Sequence, residues 1–331
     1  MFTSRVLFRT LRNQRQLSTQ IKPIRPISIT TNRMATSQAG KSGQFAACVP
    51  AQTQSQPGLE KDMAPTSEST KLEGKEGFVE YVGSGKLKGK SALITGGDSG
   101  IGRAVAALYA REGCNVSINY LPEEQVDADE TKRLVTEAGA KCLCIPYDLE
   151  KLKSLNEIVE KHVKEYGGLD ILVNNASKQV ECEDFANINL DAMESTFKSN
   201  ILQMMALTKF ALPHIPKGGS IINTTSVVAF RGTAALVDYA STKGAIVAFT
   251  RSLAKQLVKK GIRVNAVAPG PVHTPLQPAS RPEEEMDNFG AQSQIGRPGQ
   301  PSEIATSFVF LASADATLYY GQILHPYPLG D

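Results

Sequence analysis

Residues 92–104 read ALITGGDSGIGRA, and the fold turns on what the glycines in that run are for. Gly97-Asp98-Ser99-Gly100 could present Ser99 as a nucleophile; alternatively, Gly96, Gly100 and Gly102 could form a loop that holds phosphate. Protease chain orders using such a serine place a histidine upstream of it, and the hydrolase elbow needs G-x-S-x-G. Here His162, His214, His273 and His325 all follow Ser99, and Ile101 stands where the elbow requires glycine. A strand, a glycine loop and a helix remain. Glycines permit the tight turn and close backbone approach to a pyrophosphate, whose charge meets free amides at a helix N-terminus. The spacing T-G-x-x-x-G-x-G differs from the general G-x-G-x-x-G fingerprint, so the assignment needs support from elsewhere in the chain.

Working outward, residues 87–331 alternate short apolar runs with amphipathic segments. SALIT (91–95), NVSIN (115–119), KCLCIPY (141–147), LDILVNNA (169–176), SIINTTS (220–226), IRVNAVA (262–268) and GQILH (321–325) read as strands buried on both faces. Helical patterns lie near 101–112, 123–138, 152–166, 190–215, 238–260 and 301–312. Continuous apolar strands separated by helices predict an α/β fold, a Rossmann-type doubly wound, seven-stranded parallel sheet flanked by helices.

Tyr239-Ala-Ser-Thr-Lys243 sets a phenol and an ammonium one helical turn apart. The pattern alone is common, and Tyr147 with Lys151 repeats it. What separates the copies is the residue thirteen positions earlier: Leu134 for Tyr147, but Ser226 for Tyr239. Ser226 ends a strand, and open parallel sheets bind ligands at their carboxyl ends.

With Thr95-Gly96 through Gly102, Asp148, Asn174 to Ala176, Asn200, Ser226, Tyr239, Lys243 and Pro269-Gly270 in order, the chain from Leu87 onward resembles the short-chain dehydrogenase/reductase family. TGGDSGIGRA, INYLPEE and the earlier QPGLEKDMAP further resemble bacterial and fungal members described as aldehyde reductases or stress-related dehydrogenases. The resemblance implies an NAD(P)-dependent oxidoreductase that interconverts a small aldehyde or ketone and its alcohol. Tyr239 would be the general acid/base, Lys243 would lower its pKa, Ser226 would bind the substrate oxygen, and Asn200 would hold a relay water. Cofactor contacts are implied for Gly96, Asp98, Ser99, Gly100, Ile101, Gly102, Asn119, Tyr120, Asp148, Leu149, Asn175, Ala176, Tyr239, Lys243, Pro269, Gly270, Val272 and Thr274. The alternatives are a polyol or sugar dehydrogenase of the same fold, residues 271–296 being the lid that would decide between the two substrate classes, and a non-catalytic dinucleotide-binding protein. Family members also form homo-oligomers, tetramers or dimers.

After the second strand an NAD enzyme usually offers an acid to the ribose hydroxyls. Asn119-Tyr120-Leu121 offers none, which favours NADP(H), although no basic residue stands there to secure a 2′-phosphate and NAD(H) also fits. Two departures from the family pattern stand out: Ser177 replaces the glycine that commonly follows NNA, and HPYPLGD makes a short, proline-interrupted end.

Charge divides the chain. Residues 1–59 hold eight basic and no acidic residues, leaving 28 basic against 33 acidic in the remainder, so the overall +3 points to no nucleic-acid partner. In the opening MFTSRVLFRTLRNQRQLSTQ, Arg5, Arg9, Arg12 and Arg15 recur at helical spacing among apolar residues, resembling a mitochondrial (matrix) transit peptide over 1–33. MATSQAG from Met34 resembles a second start that would yield a cytoplasmic form. Residues 34–55 read as a flexible linker and 56–86 as an irregular arm ahead of the catalytic domain. Cys48, Cys114, Cys142, Cys144 and Cys182 are an odd, scattered set that reads as reduced thiols. The histidines and cysteines are too dispersed for a metal site, and no run reaches the length of a membrane span.

Overall fold

A computed structural model describes Phe45, residues 49–75, 77–287 and 289–327. The transit-peptide segment, most of the linker, Cys48 and the last four residues lie outside these described residues. The elements in chain order are strands β1 (Lys71–Glu73), β2 (Phe78–Glu80), β3 (Ser91–Thr95), β4 (Asn115–Tyr120), β5 (Cys142–Pro146), β6 (Ile171–Asn174), β7 (Ser220–Thr224), β8 (Arg263–Val267) and β9 (Ile323–Leu324). The helices are α1 (Gly100–Arg111), α2 (Gln125–Glu137), α3 (Asn156–Tyr166), α4 (Leu190–Phe197), α5 (Gln203–Ala211), α6 (Val228–Arg231), α7 (Val237–Leu257), α8 (Glu283–Met286) and α9 (Pro301–Ala312).

The seven strands predicted from sequence form one parallel sheet in the order β5-β4-β3-β6-β7-β8-β9. Alternate residues feed two cores, as the strand period of two requires. Ala92, Ile94, Ile171, Val173 and Ile222 join the core beneath α1 and α9, whereas Leu93, Leu172, Ile221 and Val264 join the core beneath α3, α5 and α7. Helix α1 is rich in alanine, which lets it pack closely against α9, and the Tyr109 hydroxyl fixes the pair by donating to the Phe308 carbonyl at 3.1 Å. The chain runs one way from β3 to β4 and β5 and the other way from β3 to β6 and β7. A cleft therefore opens between the carboxyl ends of β3 and β6, where the strand order reverses.

Three features differ from the sequence expectation. The single helix expected over 190–215 is α4, a π-helical turn at Lys198–Leu202, and α5. The arm contains a small antiparallel hairpin, β1 with β2. The region read as linker is packed before residue 55: Phe45 and Val49 are buried, and the Gln54 amide donates to the Pro278 carbonyl at 2.8 Å. The four described cysteines, Cys114, Cys142, Cys144 and Cys182, are free thiols. Among the described residues no helix is long and apolar enough to cross a membrane.

Candidate active site

The glycine loop joins β3 to α1, and its geometry explains its composition. Gly96 and Gly100 take φ of +58° and +50°, the left-handed region that side chains resist. Gly102 has ordinary backbone angles but no room: a Cβ there would lie 1.8 Å from the Gly96 carbonyl oxygen. Asn175 stitches the loop to the sheet. Its side-chain amide donates to the Gly96 carbonyl at 3.0 Å, while the Thr95 hydroxyl accepts from the Asn175 and Ala176 amides at 2.9 and 3.1 Å. The loop so formed floors a cavity of about 590 Å³ along the carboxyl ends of the strands.

Gly96, Asp98, Ser99, Gly100 and Ile101 line that cavity, with Asn119, Tyr120, Asp148 and Leu149 at one end and Asn175 and Ala176 along its middle. Ser226, Tyr239 and Lys243 meet Pro269, Gly270, Val272 and Thr274 at the other end. Two of the residues named from sequence do not line it. Gly102 sits behind the loop as a packing position. Asn200, in the π-helical turn, is fully buried behind the wall: its Oδ1 accepts from the Lys178 amide at 2.7 Å, and its Nδ2 donates to the Lys178 carbonyl at 2.8 Å and Thr242 Oγ1 at 3.0 Å. That side chain is committed to protein partners. The Asn119 amide nitrogen is also occupied, donating to the Ile145 and Tyr147 carbonyls at 3.1 and 2.9 Å, whereas its Oδ1 is buried without a partner.

Helix α7 carries Tyr239 and Lys243 on the face turned to β7. The Lys243 ammonium lies 5.1 Å from the Tyr239 ring centroid and donates to the Thr224 carbonyl at 3.2 Å. Burial pushes the Lys243 pKa down to about 7 and the Tyr239 pKa up to about 12. Against that rise, hydrogen bonds from the Ser226 and Ser177 hydroxyls and the field of Arg281 pull the phenol down. Ser226 follows β7 and also accepts from the Val228 amide at 3.3 Å.

Residues that sequence reasoning missed fall into two groups. Lys178, Glu150, Ser195 and Ser199 form a polar wall, with Lys178 Nζ donating to Ser195 Oγ at 2.7 Å and Ser199 Oγ donating to Glu150 at 2.7 Å. The arm supplies the second group: Gln56, Pro57 and Gly58 line the cavity, and the buried Glu60 carboxylate accepts from the Gly100 amide at 3.0 Å and the Ser67 amide at 2.7 Å. One of the helix N-terminal amides expected to be free is thus held by the protein itself. The second Y-x-x-x-K tyrosine, Tyr147, also lines the cavity, at the end away from Lys243. Ser99 has no histidine arranged as a base: His162 bonds Ser117 at 2.7 Å and His273 bonds the Pro65 carbonyl at 2.8 Å.

At the end near α2, Asp98 and Glu124 both line the cavity, and among the described residues no Lys or Arg lines it beside them. Burial raises both carboxyls, Asp98 to about 6 and Glu124 to about 8, with Asp98 adding repulsion at Glu124. One Asp98 carboxylate oxygen is buried without a partner.

A family model described as Enoyl-(Acyl carrier protein) reductase matches residues 96–326. General stress protein 39 of Bacillus subtilis is 51% identical over 278 residues, 84% of this chain and 94% of that one. The NADPH-dependent aldehyde reductase 1, chloroplastic, of Arabidopsis thaliana is 49% identical over 253 residues, 75% of this chain and 88% of that one. Among solved structures, a short chain dehydrogenase from Burkholderia cenocepacia in complex with NADP superposes with a TM-score of 0.66 at 28% identity, covering 72% of this chain and 97% of that one.

Proposed function

The chain belongs to the short-chain dehydrogenase/reductase family, and from that premise we propose that it interconverts a small aldehyde or ketone and its alcohol with a nicotinamide dinucleotide. The observation that carries the reading is the convergence of Ser226, Tyr239 and Lys243 at one end of a cavity whose floor is the glycine loop. The fit to a dinucleotide rests on the loop: Gly96 and Gly100 hold angles that bring bare backbone to the cavity, and Ser99 stands at the N-cap of α1 without a side-chain capping bond. A bound dinucleotide would supply or accept the hydride. In reduction Tyr239 Oη gives its proton to the substrate oxygen, which Ser226 Oγ orients; in oxidation Tyr239 takes the proton back. Lys243 reinforces the phenolate, and Asn200 acts by clamping the segment around Lys178 against α7.

At the other end, Asn119 in place of an acid supports acceptance of a 2′-phosphate, and Glu124, raised to about 8, is largely neutral at pH 7. We therefore favour NADP(H) at neutral pH, with NAD(H) also accepted because no cation is provided. The named reductase from Arabidopsis thaliana supports the aldehyde reading.

The test is a panel of aldehydes, ketones and polyols with each reduced and oxidised dinucleotide, followed by nicotinamide absorbance. Tyr239→Phe should cut turnover by at least ~10²-fold with dinucleotide affinity unchanged, while Tyr147→Phe leaves turnover near normal. Turnover that survives Tyr239→Phe, or its absence with every pair, overturns the reading.

A further inference from the structure

Residues 54–59 of the arm form a loop that is closed on itself and unequally anchored at its two ends. The Gln54 side chain pairs with both backbone polar groups of Leu59: its Oε1 accepts from the amide at 2.7 Å, and its Nε2 donates to the carbonyl at 3.1 Å. One amide side chain thereby satisfies the donor and the acceptor of a residue five positions on. The intervening Gln56, Pro57 and Gly58 are tied into one body, and all three line the cavity.

The end beyond Leu59 is fixed. Glu60 is fully buried, and its carboxylate accepts from the Gly100 and Ser67 amides at 3.0 and 2.7 Å. Asp127 in turn accepts from the Glu60 and Lys61 amides at 2.7 and 3.1 Å. Four amide-to-carboxylate bonds therefore pin the chain to the glycine loop and α2, and hydrogen bonds to carboxylates are the strong kind.

The other end is held lightly. The Pro278 carbonyl accepts from the Gln54 amide at 2.8 Å and from the Thr53 hydroxyl at 3.4 Å, and the Gln179 carbonyl accepts from Gln56 Nε2 at 2.7 Å. These are bonds between neutral groups, and Thr53 and Gln56 are exposed, so water replaces them at small net cost. The wall beneath need not move with the loop, because Gln179 Nε2 donates to Ser280 Oγ at 2.6 Å and Glu181 holds Arg281 at 3.0 Å independently of the arm.

We propose that residues 54–59 are a gate on the dinucleotide site, hinged at Glu60 and opening at Gln56. The dinucleotide enters and leaves while the edge at Gln56 is lifted from Gln179 and Pro278, and it is retained while that edge is down. The inference rests on the dinucleotide reading given above. The gate acts on exchange and needs no bond to the dinucleotide itself.

Gly58 provides a way to prop the gate open. A Cβ there would fall 2.4 Å from the Pro275 carbonyl oxygen and 2.8 Å from the Ala279 Cβ, so Gly58→Ala pushes the arm off the segment after β8. Gln56→Ala removes one latch bond through an exposed side chain and leaves the backbone alone.

The test is stopped-flow binding and displacement of NADPH and NADH, followed by nicotinamide emission, in wild type and both variants. A gate closed in the resting protein makes the observed binding rate level off at the opening rate as dinucleotide concentration rises. Gln56→Ala should raise both that plateau and the dissociation rate by about three- to tenfold, the weight of one neutral hydrogen bond. Gly58→Ala should raise both by about tenfold or more, as overpacking of the closed state does. A wild-type binding rate that climbs linearly without a plateau, rates unmoved in both variants, or faster dissociation with an unchanged plateau overturns the proposal. Wild-type protein that binds neither NADPH nor NADH would instead overturn the functional reading itself.

Discussion

Replacing Gly102 with alanine tests the glycine loop with the smallest available perturbation. The added methyl would sit 1.8 Å from the Gly96 carbonyl oxygen, 2.7 Å from its carbon and 2.9 Å from Asn175 Nδ2. The closest of these is roughly 1.5 Å short of ordinary contact. The two nearest atoms are backbone, so no side-chain rotation relieves the clash. Gly96 has little space to retreat, because a substituent on its own Cα would meet the Ala176 Cα at 3.0 Å, and moving its carbonyl breaks the Asn175 bond. Overpacking of this kind costs about 1–3 kcal/mol, and a ~1 Å misplacement of positioning groups can cost ~10²-fold. The expected result is a folded protein with a lower Tm and a dinucleotide Kd weakened by about ten- to a hundredfold. The chain has no tryptophan, so titration can follow the emission of the reduced nicotinamide without energy transfer from indole. Gly168→Ala is the matched control: nothing lies within 4 Å of its added methyl, and stability should be unchanged or higher by up to about 1 kcal/mol. A Gly102→Ala protein with wild-type Tm and Kd would refute the argument that this glycine is required for packing.

Further expectations follow from the titratable groups and the N-terminal segment. Glu124, raised to about 8, becomes an anion as pH rises from 7 to 9, so NADPH should weaken relative to NADH by several-fold over that range; Glu124→Gln should flatten the ratio. His162 is buried with its pKa lowered from 6.5 to about 4. The unfolded chain therefore binds the extra proton first, and stability should fall as pH drops below 6.5 through about 4, by about 3 kcal/mol in all. Denaturant titrations at pH 7 and 4.5 should show a smaller drop in His162→Gln. For the basic segment we propose mitochondrial import: a reporter fused to the full chain should reach mitochondria, while one starting at Met34 stays cytoplasmic, and equal distribution of the two would refute it.

The parts of the site that were legible in the sequence are those held together by local geometry. Tyr239 and Lys243 are one helical turn apart, and Gly96 to Gly102 form one loop, so spacing alone brings them together. The sheet was legible because β3, β6, β7 and β8 are buried on both faces and appear as unbroken apolar runs. The surroundings of Asn200 were not legible because apolar periodicity does not report a π-helical turn. Lys198–Leu202 inserts one without changing the pattern of neighbouring residues, and it turns the asparagine toward Lys178 and Thr242.

The arm was legible only as an irregular stretch, without its contacts, and those contacts change how the site should be viewed. Its contacts are hydrogen bonds to distant backbone, made by side chains and main chain alike, which leave no period in the sequence. Gln56 Nε2 donates to the Gln179 carbonyl at 2.7 Å, the Gln54 amide to the Pro278 carbonyl at 2.8 Å, and the Ser302 amide to the Glu68 carbonyl at 3.0 Å. A Cβ on Gly58 would fall 2.4 Å from the Pro275 carbonyl oxygen, so the backbones there already touch. The same segment reaches the other wall, where Glu60 holds Gly100 and its own amide is held by Asp127 Oδ2 at 2.7 Å. One irregular stretch thus ties the glycine loop and α2 to the segment after β8, across the cavity they enclose. Because Glu60 is fully buried, losing its carboxylate would strand the Gly100 and Ser67 amides without an acceptor. The loop and arm are then stabilised together, and residues that line the cavity lie ahead of residue 96, where the family model's match begins.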